Sequence, residues 1–144
     1  DYIEGLNILS SMRMCANVPC QSAIQTALGG YQSIDDLVKE NGRLRIQRDV
    51  TTDMLNGIDG ISCVKPKGAM YCFAKVDEKK FNIQNDEQMV LDLLSSEKIL
   101  LVHGRAFNLT EGTYFRLVFL PHSDVLVPAL HRIGNFFRTY KQGA

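Results

Sequence analysis

An arginine in the middle of an apolar run is the residue of this sequence with the strongest case for chemistry. The run "TYFRLVFLP" spans residues 113–121 and has Arg116 near its centre. A guanidinium binds a carboxylate through two parallel hydrogen bonds, and burying it without a partner is costly. No acidic residue lies within the run. Arg116 therefore either meets an acid from elsewhere in the chain or binds an anion from outside. Residue type and position alone leave these two alternatives equal.

The run that carries Arg116 is predicted to be a β-strand over 113–120. Read with a period of two, Phe115, Leu117 and Phe119 share one face, and Arg116 lies on the other. The run is rich in β-branched and aromatic residues and ends at Pro121, as strands do. A strand in a sheet would hold the guanidinium in a fixed position.

The other residue types that do chemistry are scattered along the chain. Glycine-rich nucleotide motifs, the G-x-S-x-G nucleophile motif and the H-E-x-x-H metal motif are all absent from the sequence. The spacing of histidines and cysteines matches no zinc pattern, so we expect no metal site. The cysteines are expected to be reduced, which suits the cytosol. The residues concerned are His103, His122, His131, Cys15, Cys20, Cys63 and Cys72.

Length and charge limit the class of protein. The chain has 144 residues, which suits one domain, or one domain with an attached segment. Its formal net charge is +0, which argues against a nucleic-acid binder that relies on a basic surface. No apolar run is long enough to span a membrane. The chain begins with Asp1 rather than Met and enters a helical pattern at once, so we expect a piece of a longer protein.

Hydrophobic periodicity predicts an α+β fold. The first part is helical up to residue 57, and a β-β-α-β-β-α order follows, which gives a small mixed sheet covered by helices. The predicted helices cover residues 2–14, 17–29, a short stretch from 33, 43–56, 86–98 and 124–141. The predicted strands cover 61–66 and 69–76, joined by a tight Lys67-Gly68 turn, then 99–102 and 113–120.

Several stretches, in order and at their spacing, resemble one enzyme family. They are "SMRMCANVPCQSAIQTALGGYQSI", "GISCVKPKGAMYCFAKVD", "LLVHGRAFN" and "YFRLVFLP". Together they resemble the C-terminal part of pyridoxal phosphate-dependent aminotransferases of the aspartate aminotransferase superfamily. The likeness is strongest to the bacterial alanine-synthesising (glutamate–pyruvate) group. It implies a helical segment, 1–33, that packs on a large domain, followed by the small C-terminal domain, 34–144.

The resemblance also implies roles for particular residues. In the family, the arginine of the late strand binds the substrate α-carboxylate, and Arg116 matches it. Gly68 matches a loop where the backbone approaches the substrate. Asn17 and Gln21 match family positions without an assigned role, whereas Arg105 stands where relatives usually carry a small residue, and we favour a solvent-facing side chain. The Schiff-base lysine and most cofactor-binding residues lie upstream in the family. The resemblance therefore implies no catalytic and no cofactor-binding residue here.

The function implied is transamination between an L-amino acid, alanine or glutamate, and a 2-oxo acid, pyruvate or 2-oxoglutarate. The cofactor would be pyridoxal phosphate, bound by the full-length enzyme, which is expected to be a cytoplasmic homodimer. This chain would supply the carboxylate-binding residue and be inactive alone. Two rival interpretations are a freestanding domain that senses small carboxylates and a purely structural interaction module. A start codon just upstream of Asp1 would favour the sensor, and a serine-rich lysine motif there would favour the enzyme.

Overall fold

The computed structural model describes residues 1–14 and 17–143, and the chain divides into two units, Asp1–Asp36 and Leu37–Ala144. The first unit contains α1 (Tyr2–Ser11) and α2 (Val18–Gly29), while α3 (Ser33–Val38) crosses the division. Asp1 caps α1, and Asn17 caps α2 by accepting a hydrogen bond from the Cys20 N–H at 3.0 Å. None of the described residues in these three helices is buried.

The second unit contains a four-stranded sheet whose order is β1-β2-β4-β3. The strands are β1 (Ile61–Cys63), β2 (Tyr71–Val76), β3 (Val102–His103) and β4 (Thr113–Val118). The α+β class is confirmed, but the prediction of a mixed sheet is wrong, because every described strand pairing is antiparallel. β2 and β3 do run in the same direction; β4 lies between them and separates them.

Three long helices cover one face of this sheet. They are α4 (Arg43–Asn56), α6 (Asp86–Glu97) and α7 (Ser123–Thr139), and the single-turn α5 (Glu78–Phe81) follows β2. The predicted 3.6-residue spacing places their apolar side chains inward against the sheet. The core so formed includes Leu55, Cys72, Ala74, Val76, Phe81, Met89, Leu93, Phe115, Leu117, Phe119, Leu126, Leu130, Ile133 and Phe137.

Helix boundaries follow the sequence more closely than strand boundaries do. α4 matches its predicted range, and Asn85 caps α6 by accepting hydrogen bonds from two backbone N–H groups of its first turn. Of the strand predicted over 99–102, only Val102 pairs with β4, and the observed strand β3 continues to His103. The predicted tight Lys67-Gly68 turn is wrong. The register pairs Cys63 with Ala74, so residues 64–70 form a longer connection.

Candidate functional site

Arg116 lies at the centre of β4, with a paired strand on each side. Its cross-strand partners are Phe73 on β2 and Val102 on β3. The burial of β4 alternates as predicted: Thr113, Phe115 and Leu117 are buried against the helices, while Arg116 is on the opposite, half-buried face. Pairing on both sides fixes the backbone from which the guanidinium projects.

Two aromatic rings contact the guanidinium of Arg116. Its Cζ atom lies 4.6 Å from the ring centroid of Tyr71 and 4.3 Å from that of Phe107. Both distances are within the range of a cation–π interaction. The two rings come from opposite sides of β4, because Tyr71 belongs to β2 and Phe107 follows β3. Phe107 also contacts Phe73 edge-on, with ring centroids 5.4 Å apart.

The electrostatic surroundings of Arg116 leave its positive charge unpaired. Its Nε atom is buried and has no hydrogen-bond partner in the described part of the chain. Across residues 1–14 and 17–143, no carboxylate lies within ion-pair distance of the guanidinium. Within the described residues, the alternative of an acid from elsewhere in the chain therefore finds no support. A buried donor without a partner is costly to maintain, which favours an anion from outside as its ligand.

A single 3₁₀ turn, Gly104–Phe107, brings the Phe107 ring to Arg116; we call it the 104–107 turn. A Cβ on Gly104 would lie 2.9 Å from the Cβ of Tyr114, so only glycine lets the turn approach β4 this closely. The Arg105 N–H donates to Oδ2 of Asp86 at 3.0 Å, and this aspartate, in the first turn of α6, is only 3% exposed. The turn is therefore fixed at both β4 and α6.

The Asp86 carboxylate has two further basic neighbours. His103 Nδ1 lies 3.6 Å from Oδ2, and Arg105 Nε lies 3.7 Å from Oδ1. The Arg105 side chain is 58% exposed, so it combines a weak contact to Asp86 with a largely solvated position. The sequence drew attention to Arg105 but gave no sign of its contact with Asp86.

Gly68, the second predicted substrate-binding residue, lies in the open connection 64–70. A Cβ placed on it would meet no atom within 4 Å. The residue of this connection that has a left-handed backbone is Ala69, with φ of 55°. The protein's own atoms thus do not require glycine at position 68, and its role towards a substrate stays a prediction.

The cysteines and histidines form no metal site in the residues described. No group of three or more His, Cys, Asp or Glu side chains there could hold a metal ion. Cys20, Cys63 and Cys72 are free thiols, and Cys15 lies outside the described residues. The hydrogen bond with Cys63, together with burial, raises the pKa of the Cys72 thiol, so it stays protonated and a poor nucleophile.

Among the described helices, none has both the length and the apolar character needed to cross a membrane.

The fold and the sequence assign the chain to a class: it belongs to the aminotransferase family. The family "Aminotransferase class I and II" matches residues 1–133. Its members are generally pyridoxal phosphate-dependent and act on amino and oxo acids.

Within the family, the chain is similar to particular proteins and to solved structures. The chain is 56% identical over 141 residues to the glutamate-pyruvate aminotransferase AlaA of Haemophilus influenzae, covering 98% of this chain and 35% of that protein. It is 53% identical to an alanine aminotransferase of Mycobacterium tuberculosis, covering 98% of this chain and 33% of that protein. The crystal structure of an aminotransferase from Escherichia coli superposes with a TM-score of 0.84 at 53% identity, covering 98% and 35%. The chain thus spans about one third of the length of these relatives.

The surroundings of Arg116 bear on what pyridoxal phosphate needs, and the absence of cofactor-binding residues from this chain stays a prediction. The cofactor needs a lysine amine for its covalent attachment and a cradle for its phosphate. Lys75 shares a sheet face with Arg116, but its ammonium group lies over the ring of Tyr114, at 6.0 Å from the centroid. The immediate contacts of Arg116 among the described residues are aromatic rings, and they offer no polar cradle for a phosphate.

Proposed function

We propose that this chain supplies the substrate-carboxylate site of a pyridoxal phosphate-dependent aminotransferase. The enzyme would transfer an amino group between an L-amino acid, alanine or glutamate, and a 2-oxo acid, pyruvate or 2-oxoglutarate. The AlaA and alanine aminotransferase relatives support this choice of substrates. The single observation that carries the proposal is the unpaired guanidinium of Arg116, fixed at the centre of a paired strand.

The geometry explains how Arg116 would act. Rings at 4.6 Å and 4.3 Å contact the flat guanidinium, whose N–H donors lie in its own plane and are not used up by ring contacts. A substrate carboxylate would accept two of these hydrogen bonds in a bidentate arrangement. Because the strand is rigid, the bound carboxylate would have one orientation, and a second anchor at the substrate amino group would then fix the direction of the Cα–H bond. Such orientation is a recognised source of rate acceleration.

The cofactor, when bound, supplies the electron sink that stabilises negative charge at the substrate Cα. We assign to this chain the binding and orientation of the substrate, and no catalytic residue. Gly68, in the connection before β2, is the second substrate-binding position in this proposal.

The same proposal covers the first unit and the assembly. Residues 1–33 would pack on a large domain. Exposed apolar side chains support this, because Ile3, Leu9 and Leu28 are 63%, 63% and 80% exposed. The enzyme would be a homodimer and would act in the cytoplasm, where thiols such as Cys20 stay reduced.

The proposal is tested by replacing Arg116 in the aminotransferase that contains this segment. We expect Arg116→Ala to lower kcat/KM for L-alanine by the equivalent of about 3–5 kcal/mol, as for other broken buried charge pairs. Arg116→Lys should recover only part of the loss, because lysine lacks the two-pronged geometry. Arg132→Ala is the matched control: this arginine is half exposed and pairs with Glu97 on the helical side of the sheet. An unchanged kcat/KM in Arg116→Ala would refute the proposed role.

Assays on the same protein also distinguish the rival hypothesis, a carboxylate sensor, from the enzyme. A sensor would bind propionate through Arg116 and show no amino transfer with any pair of amino and oxo acids.

A further inference from the structure

We propose that Phe107 is a positioning residue for Arg116: its ring, brought by the 104–107 turn, holds the guanidinium ready for a carboxylate. The inference rests on the proposed function, since it concerns the same site. It concerns a residue outside the carboxylate contact itself, which acts through the arginine rather than on the substrate.

The contacts of Phe107 point to this role rather than to core packing. Its side chain is 38% exposed and is not part of the hydrophobic core. Its ring lies 4.3 Å from Cζ of Arg116 and makes an edge-on contact with Phe73, the residue that pairs with Arg116 across β2 and β4. The Phe107 ring therefore extends across β4 over the guanidinium and contacts Phe73 on β2.

A free arginine side chain has many rotamers, and a bound carboxylate would have to select one of them. Ordering a long side chain on binding costs conformational entropy, and this cost lowers affinity. Tyr71 and Phe107, one on each side of β4, hold the guanidinium in place before the ligand arrives. The rings also compensate part of the desolvation of the cation.

Several contacts position the Phe107 ring. Gly104 allows the turn to lie against Tyr114, and buried Asp86 binds the Arg105 N–H. Left-handed Asn108, with φ of 59°, ends the turn directly after Phe107. These features fix the backbone on both sides of the Phe107 side chain.

The role predicts a particular kinetic pattern in the aminotransferase that contains this segment. Phe107→Leu keeps an apolar side chain but removes the π face. Loss of a partly exposed cation–π contact should raise KM for L-alanine and Kd for propionate about threefold to tenfold. kcat should change less than about twofold, because the lost interaction is present equally before and during reaction. Phe107→Tyr restores the π face and should return both constants to near the original values. Phe136→Leu, an identical change on α7 behind the sheet, is the matched control.

A second measurement does not depend on activity or cofactor. In the isotope-labelled aminotransferase that contains this segment, prepared without cofactor, the rings should shift the NMR resonance of the Arg116 Nε–H through their ring currents. Phe107→Leu should move this resonance towards the value of a free arginine, and Phe107→Tyr and Phe136→Leu should not. The same NMR spectrum also shows whether each variant keeps the folded sheet.

The outcomes separate this inference from the proposed function. If Arg116→Ala abolishes propionate binding while Phe107→Leu leaves Kd and the Arg116 resonance unchanged, the positioning role is wrong and the carboxylate site stands. If Phe107→Tyr is as impaired as Phe107→Leu, the ring's π face is not what matters and the inference also fails. If Arg116→Ala leaves propionate binding intact, both proposals fail.

Discussion

Replacing Asp86 tests how the fold fixes the 104–107 turn. Asp86→Ala removes a nearly buried carboxylate that accepts the Arg105 N–H at 3.0 Å and stands in the first turn of α6. A hydrogen bond to a charged group contributes about 1.5–3 kcal/mol. A carboxylate near a helix N-terminus adds about 0.3–1 kcal/mol. We therefore expect Asp86→Ala to lower the free energy of unfolding of the second unit by roughly 2–4 kcal/mol.

Asp86→Asn is the informative companion variant. The amide oxygen can still accept the Arg105 N–H, but the charge at the helix N-terminus is lost. A neutral hydrogen bond still contributes about 0.5–1.5 kcal/mol, so the Asn variant should lose about two thirds of what the Ala variant loses. The contact with His103 and Arg105 is also weakened, but both lie beyond 3.5 Å and contribute less.

The chain has no tryptophan whose fluorescence could report unfolding. Amide hydrogen exchange is therefore a suitable assay. The amides of Phe115 and Leu117, in the middle of β4, report the global opening of the second unit. The amide of Arg105 reports opening of the turn alone, and it should exchange faster in both variants. Two results would refute the reasoning: a cost of Asp86→Ala below about 0.5 kcal/mol, or an Asn variant as unstable as the Ala variant.

Two further changes follow from contacts elsewhere in the second unit. Gln142 is 7% exposed and makes three hydrogen bonds with backbone groups of residues 84–85, so Gln142→Ala should cost about 2–3 kcal/mol, measured by urea unfolding; a cost near zero would show that water replaces these bonds. Burial disfavours ionised Asp49, but hydrogen bonds from Arg48 and Lys65 outweigh it and lower the pKa of this carboxyl. Because the folded-state pKa is the lower one, Asp49→Asn should cost a few tenths of a kcal/mol at neutral pH. The difference should vanish as the pH falls through the folded-state value, and a difference that persists in acid would contradict this.

The sequence was sufficient where local periodicity determines the outcome. The alternation of β4 placed Arg116 opposite Phe115 and Leu117, and this face assignment matches the structure. The range of α4 was also predicted, because its apolar side chains recur at helical spacing. The resemblance to aminotransferases is confirmed by the family match.

What surrounds Arg116 could not be predicted, because it depends on contacts distant in sequence. Phe107 lies in a four-residue turn without any hydrophobic period, and only the sheet order brings it over β4. The helix predicted over 86–98 gives no sign that the Asp86 carboxylate contacts a turn nineteen residues later. One signal was available for Tyr71 and Phe73: in a period of two, both fall on the same strand face, opposite buried Cys72.

The strict alternation of β4 also gives Arg116 a part in folding. Sliding β4 by one residue against its neighbours would exchange its two faces and carry the guanidinium under the helices, in place of Phe115 or Leu117. An unpaired cation in that apolar interior would cost several kcal/mol, more than a misaligned pairing could recover. The residue proposed to select the ligand would thereby also discriminate against mispaired sheets, and neutral replacements at this position should fold with a less unique strand alignment.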